Sequence, residues 1–240
     1  MCGRYAASRN LDEIRVAFGT GEVEGHVLPA SYNIAPTQET YIVDIGEEGR
    51  RLRTVRWGLV PAWAHDTAGA ARLINARCET VAEKPSFRAA YAKRRCLVPM
   101  DGWYEWSGAG KQPWFLSSVT GISAVAGIYE RWRPANADPA DPGAVVHTMA
   151  ILTTAANDDI AHVHDRMPVL VAPDDFSSWL DPATPAAELA HLLRPAPLGL
   201  VQAWRVARLV SAVRNNGPAL IEPTDGPEDA PVAEQIGLWE

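Results

Sequence analysis

Residues 96–129 read CLVPMDGWYEWSGAGKQPWFLSSVTGISAVAGIY, and the fold is decided here. Four runs, Cys96–Met100, Trp103–Trp106, Trp114–Ser118 and Ile122–Tyr129, are rich in the β-branched and aromatic residues that suit strands. Asp101-Gly102 and Gly108-Ala109-Gly110 punctuate them as turns do. Upstream, Tyr41–Ile45 and Leu52–Trp57 read as strands joined across Gly46-Glu47-Glu48-Gly49. Downstream, His147–Thr154, Pro168–Val171 and Leu200–Ala207 read as further strands.

Helices are few. Asn10-Leu11-Asp12-Glu13 has the form of a capping box, and Leu11, Ile14 and Phe18 follow at helical spacing before Gly19. Pro85–Arg95 predicts a helix with Pro85 in its first turn, and Asp174–Leu180 and Pro185–Leu193 predict two short ones. Pro134–Gly143 is an exposed connection. Many short strands with few helices predict one α+β domain over residues 1–222, a mainly antiparallel, barrel-like sheet with flanking short helices. Residues 223–240, rich in Pro, Asp and Glu, read as a disordered acidic tail.

At 240 residues the chain can bury one sizeable core, and 47% apolar with 21% charged residues is ordinary for a soluble protein. No apolar run approaches the twenty residues of a membrane span, and Met1-Cys2-Gly3-Arg4-Tyr5 lacks a signal-peptide core. A cytoplasmic monomer is expected. The net charge of −7 argues at first against a nucleic-acid partner, but six acidic residues and no basic one lie between Ile221 and Glu240, leaving the body near −1. Arginines gather at Arg50–Arg56 and Arg88–Arg95, which predicts a local basic groove.

The chemistry starts at Cys2. Its small side chain predicts removal of Met1, which would leave a free amine and a thiol on adjacent carbons, with ordinary pKa values of about 8 and about 8.5. Such an aminothiol closes on an aldehyde as no internal cysteine can: the amine forms an imine, and the thiol adds to it, giving a thiazolidine. Alone, Cys2 reads rather as a small residue at a poorly ordered terminus. Its meaning comes from its company.

That company is Tyr32-Asn33-Ile34-Ala35-Pro36-Thr37, Ile74-Asn75-Ala76-Arg77-Cys78-Glu79-Thr80, Asp101-Gly102-Trp103-Tyr104-Glu105-Trp106 and His164-Asp165-Arg166-Met167-Pro168. With the Cys2 terminus they closely resemble the SRAP family of abasic-site processing proteins, from Cys2 to about Pro223. The resemblance implies covalent capture of abasic sites in single-stranded DNA in the damage response, with Cys2 as nucleophile toward the deoxyribose C1 aldehyde. It implies that Asn75 positions the reacting terminus, Glu105 moves protons during imine formation and ring closure, and His164 assists sugar opening. Arg4, Arg77 and Arg166 match arginines near the lesion and its phosphates, and Asn33, Ser211 and Asn215 join the DNA-binding set.

The residue types suit these roles. Histidine both gives and takes a proton near neutrality. Glu105 sits among Trp103, Tyr104 and Trp106, where desolvation would raise its pKa. Arginine is the bidentate partner of phosphate. Trp63 lies where the family presents a wedge beside DNA, though Ala64 and an Ala/Gly-rich loop to Ala71 depart from the bulkier residues of relatives; base stacking and packing both remain open for it. His162-Val163-His164 lacks the partners of a zinc set, so neither metal nor other cofactor is expected. Cys78 and Cys96 read as core thiols. Gln235-Ile236-Gly237-Leu238-Trp239 resembles peptides that bind the bacterial sliding clamp, and the acidic tail could instead shield the DNA groove. Three other readings stand beside capture: an N-terminal-nucleophile amidohydrolase, a peptidase or self-cleaving variant, and a noncatalytic reader of damaged DNA.

Overall fold

From the amino terminus the chain lays down β1 (Tyr5–Ala7), α1 (Leu11–Phe18), β2 (Val23–Glu24), β3 (Ser31–Ile34), β4 (Glu39–Gly46), β5 (Gly49–Trp57) and β6 (Asn75–Arg77). There follow α2 (Arg88–Lys93), β7 (Arg95–Met100), β8 (Gly102–Ser107), β9 (Gln112–Ser118), β10 (Ser123–Trp132), β11 (Val146–Ala155), β12 (Arg166–Pro168), α3 (Phe176–Leu180) and β13 (Val201–Arg205). The computed structural model describes residues 2–21, 23–138 and 140–224. The tail expected to be disordered, with the Gln235–Trp239 motif, lies outside the described residues apart from Pro223 and Thr224. No helix among the described residues is long and apolar enough to cross a membrane.

Strands β5, β4, β7, β10 and β11 pair antiparallel in that order. The ring closes by a parallel pairing of β11 with β5, where Thr148 faces Arg56 and Met149 faces Trp57. The expected barrel is therefore present. Strand β11 serves four neighbours: one edge pairs first β10 and then β12, the other first β5 and then β6. A second sheet, β13-β9-β8-β1-β3, is antiparallel throughout.

Strand alternation sorts the core into two sides. Ile42, Val55, Trp57, Cys96, Val98, Val125, Met149 and Ile151 come from all five barrel strands and pack with Cys2, Tyr5, Trp103 and Leu116. The opposite barrel faces, among them Val43, Leu52, Leu97, Ala126 and Leu152, are covered by Ile14 and Phe18 of α1, Tyr91 of α2 and Trp179 of α3. The bore is narrow: a Cβ on Gly127 would come within 2.9 Å of the Cys96 sulfur and of Val98. The further face of the second sheet carries Ala6, Tyr104 and Phe115 and is covered by Val206, Val210 and Leu220.

The capping box is formed, Asn10 accepting from the Glu13 amide at 2.9 Å and Glu13 from the Asn10 amide at 3.0 Å, and Gly19 ends α1 in the left-handed conformation. Two expected elements differ. The helix over Pro85–Arg95 is only six residues long, because Arg95 opens β7 and its buried guanidinium donates to the carbonyls of Tyr91, Ala92, Trp179, Asp181 and Thr184. The strand expected at Pro168–Val171 starts earlier, at Arg166, and keeps only a single bridge between Leu170 and Val125 beyond it.

Most of the arginines expected to form a basic groove are instead spent internally. Arg51 donates to Asp44 at 2.7 and 3.0 Å, Arg53 lies buried on His147 and Glu24, Arg94 pairs with Glu130, and Arg50 reaches Phe18 and Ser177. A carboxylate as buried as Asp44 needs such partners.

Candidate active site

Cys2 leads directly into β1, and both lie against the barrel core rather than at a loose end. Tyr5 fixes the approach, its ring 5.0 Å edge-on to Trp57 and its hydroxyl bonded to Thr40. Asn75 comes from the other direction. The segment from β5 returns past Trp57, whose indole N–H donates to the Ile74 carbonyl at 3.0 Å, and β6 then pairs parallel with β11. There the Asn75 amide donates to the Cys2 carbonyl at 2.7 Å. A neutral side chain thus holds the main chain of Cys2, leaving its sulfur and nitrogen uncommitted to that bond.

Glu105 enters from β8. Its neighbour Gly102 lets β8 lie between β1 and β9, since a Cβ there would stand 2.3 Å from the Leu116 carbonyl oxygen. Burial pushes the Glu105 carboxyl up to about 7, with the positive amino terminus pulling the other way. The same burial, reinforced by Glu105, pushes the Cys2 thiol well above its ordinary range, so the thiol keeps its proton.

His164 stands across from the carboxyl, its Nε2 3.9 Å from a Glu105 oxygen. The Arg166 amide donates to His164 Nδ1 at 2.9 Å, which makes Nδ1 an acceptor and places the proton of the neutral ring on Nε2, toward Glu105. Asp165 also lies 3.0 Å from Nδ1. That contact would require a proton on Nδ1, and since Asp165 is largely exposed while the amide is fixed, the backbone bond decides the tautomer. Burial and the amino terminus lower the His164 pKa, in keeping with a neutral ring.

The structure thus brings Cys2, Asn75, Glu105 and His164 together and sorts the other expected residues into three groups. Arg77 and Arg166 come from strands on opposite edges of β11, and Arg166 is held by Glu79 in a two-pronged pair, one arm at 3.0 Å, and by the Thr153 carbonyl. This guanidinium pulls the Glu79 carboxyl down to about 2. Arg77 is exposed. Arg4, Asn33, Ser211 and Asn215 gather around Trp106 instead: Arg4 lies 5.9 Å from that ring, bonded to Asn33 and to the Val210 carbonyl, and the Trp106 N–H meets Ser211. Asn33 is buried, and its amide donates to carbonyls of Val210, Ala212 and Asn215, so it ties down this loop. Trp63 is 66% exposed on the connection between β5 and β6. Glu79, which sets the Arg166 geometry, was not among the residues expected at the site.

Fold and site together define a class: an α+β barrel protein whose second residue, a cysteine, is set among an amide, a protonatable carboxyl and an imidazole. The chain belongs to the SRAP family, described as SOS response associated peptidase, whose sequence profile matches residues 1–213. Among its relatives, abasic site processing protein YoqW of Bacillus subtilis (strain 168) is 35% identical over 229 residues, covering 92% of this chain and 99% of that protein. Abasic site processing protein YedK of Escherichia coli (strain K12) is 29% identical, covering 93% and 100%. Abasic site processing protein HMCES of Gallus gallus is 29% identical, covering 94% and 78%. A crystal structure of a protein from Bacteroides thetaiotaomicron superposes with a TM-score of 0.80 at 25% identity, covering 93% of this chain and 100% of that one.

Proposed function

We propose that this protein processes abasic sites in single-stranded DNA by forming a thiazolidine between Cys2 and the deoxyribose. The observation that carries the proposal is the Asn75-held Cys2 main chain beside a carboxyl whose pKa lies near 7. With Met1 removed, the α-amine belongs to Cys2 itself. His164 gives its Nε2 proton to the ring oxygen and takes the proton of the C1 hydroxyl in its place, opening the sugar to its aldehyde. The amine adds to C1. Protonated Glu105 then gives its proton to the hydroxyl, which leaves as water, and a protonated imine remains. Glu105, now a carboxylate, takes the thiol proton as sulfur adds to the carbon of the protonated imine, which leaves the ring nitrogen neutral with its one hydrogen and Glu105 protonated again. The net change is loss of one water.

A buried thiol that stays protonated until this step supports the order of events, because sulfur becomes nucleophilic only once a base is in place. An imine that forms without ring closure would permit strand scission, so weak lyase activity belongs to the same reading. Arg77, Arg166 and Arg4, with Trp63, Asn33, Ser211 and Asn215, are proposed to bind or shape the path of the DNA.

Denaturing electrophoresis on a uracil-glycosylase-treated single strand tests the proposal. The intact chain should give a heat-stable shifted species, and Cys2→Ala should give none. Mass spectrometry should find Met1 absent and the sugar on Cys2. A heat-stable adduct carried by a chain that retains Met1 would overturn the aminothiol mechanism, and no adduct at all would leave the reader of damaged DNA as the better account.

A further inference from the structure

The cross-strand register continues outward from the site in a direction none of the residues above uses. Glu105 on β8 faces Trp114 on β9, and Trp114 faces Arg205 on β13. Directly opposed residues of antiparallel strands project from the same face, so a carboxylate, an indole and a guanidinium form one row. Their environments grade from inside to outside: Glu105 is buried, Trp114 half-buried and Arg205 exposed.

Three details distinguish this row from ordinary surface packing. The Arg205 guanidinium lies 5.4 Å from the Trp114 ring centroid and has no hydrogen bond or ion pair among the described residues. The Trp114 indole N–H is buried without a hydrogen-bond partner there. The His162 ring meets Trp114 edge-on at 5.4 Å, and His162 stands two residues before His164, which itself approaches Glu105. The row is therefore joined to the reacting groups at both its strand and its loop side. Strand β13 is the last of its sheet, so the row opens to solvent at Arg205.

We infer that Trp114 and Arg205 form the subsite for the nucleotide adjoining the lesion, Trp114 offering a stacking face to its base and Arg205 a partner to its phosphate. The inference rests on the DNA reading above. Two strand spacings, about 10 Å, separate the backbones of Glu105 and Arg205, a span suited to the neighbour of a sugar seated at Glu105. An aromatic face accepts any base, so the subsite would grip the strand without reading sequence. Arg4 and Trp106 form a comparable cation–ring pair in a different core cluster, with Tyr104 and Phe115. The strand would then be held on two sides of the lesion by the same kind of contact.

The test measures equilibrium binding of single strands in a Cys2→Ala background, with abasic oligonucleotides that carry nucleotides on both sides of the lesion or on one side only. Arg205→Gln should weaken binding about fivefold at low salt and flatten the slope of log K against log salt by about 0.7, one phosphate contact on a single strand. Trp114→Leu should weaken it about tenfold, while Trp114→Phe, which keeps a ring, retains most of the affinity. Both losses should disappear with the oligonucleotide lacking nucleotides on one particular side. Unchanged affinity and salt slope for both variants, or equal losses on every oligonucleotide, would overturn the subsite. Covalent capture by the otherwise unaltered chain, run in parallel, reports on the mechanism alone: its absence would sink the thiazolidine reading while the binding series still judges Trp114 and Arg205.

Discussion

At the scale of single residues, Glu105 links stability to chemistry. Its carboxyl is raised from the usual 4.5 to about 7 by burial, so between those pH values the folded state holds a proton that the unfolded state has released. Stability must therefore fall as pH rises through that window, by about 3 kcal/mol in total. Glu105→Gln removes the ionisation. The variant should be the more stable protein at pH 8, and its melting temperature should vary less between pH 5 and 8 than that of the unaltered chain. The same substitution should erase the limb near pH 7 in the rate of adduct formation. A variant that melts in parallel with the unaltered chain across this range would show that Glu105 is not desolvated as described. Glu105 was legible in the sequence because three aromatic neighbours announce a dry environment. The Glu79 pairing with Arg166 was not, since residues 87 positions apart meet only after β6 and β12 have both docked on β11.

Elements tell a similar story of reach. The capping box of α1 is local, four consecutive residues, and its reading needed nothing else. Asn10→Ala should cost about 1 kcal/mol in chemical denaturation with adduct formation unchanged, because α1 covers the outside of the barrel. Gly102→Ala should cost more, about 1–3 kcal/mol or beyond, because the added methyl meets the Leu116 carbonyl and Phe115 at the junction of β8 and β9. Denaturant midpoints for the two variants give the comparison, and equal losses would contradict the packing described. Three of the strands around the site, β1, β3 and β6, run to three or four residues each, against six for β8, which carries Glu105. No periodicity can show in so short a run, which is why β8 was legible as a strand while those three were legible only as motifs.

For the whole molecule, the amino terminus is a core element. Cys2 and Tyr5 pack with residues of every barrel strand, so a permanent extension ahead of Cys2 both blocks the amine and must find a way out of a packed interior. Such an extension should abolish covalent capture, and its proteolytic removal should restore it; capture by the extended chain would refute the role of the free amine. At the other end, Pro223 bridges Val206 and the Thr224 amide donates to the Arg205 carbonyl at 3.0 Å, closing the described fold beside β13. Deleting residues 225–240 should strengthen single-strand binding at low salt by removing five acidic residues, and should abolish any binding to purified sliding clamp.

What could be read from the sequence alone was the class of fold and the four residues, Cys2, Asn75, Glu105 and His164, that the fold brings together. Alternation, breakers and a capping box are short-range signals, and the four site segments are contiguous. What only the tertiary structure decided was the use of the arginines. Arg51, Arg53, Arg94 and Arg95 looked like a surface for DNA, yet the closed barrel draws each onto a buried carboxylate or carbonyl. Arg205, isolated in the sequence, instead stands open beside the site. A charge has no address until strands distant in the chain are paired, because the cost of burying it and the partner that offsets that cost both belong to the assembled core.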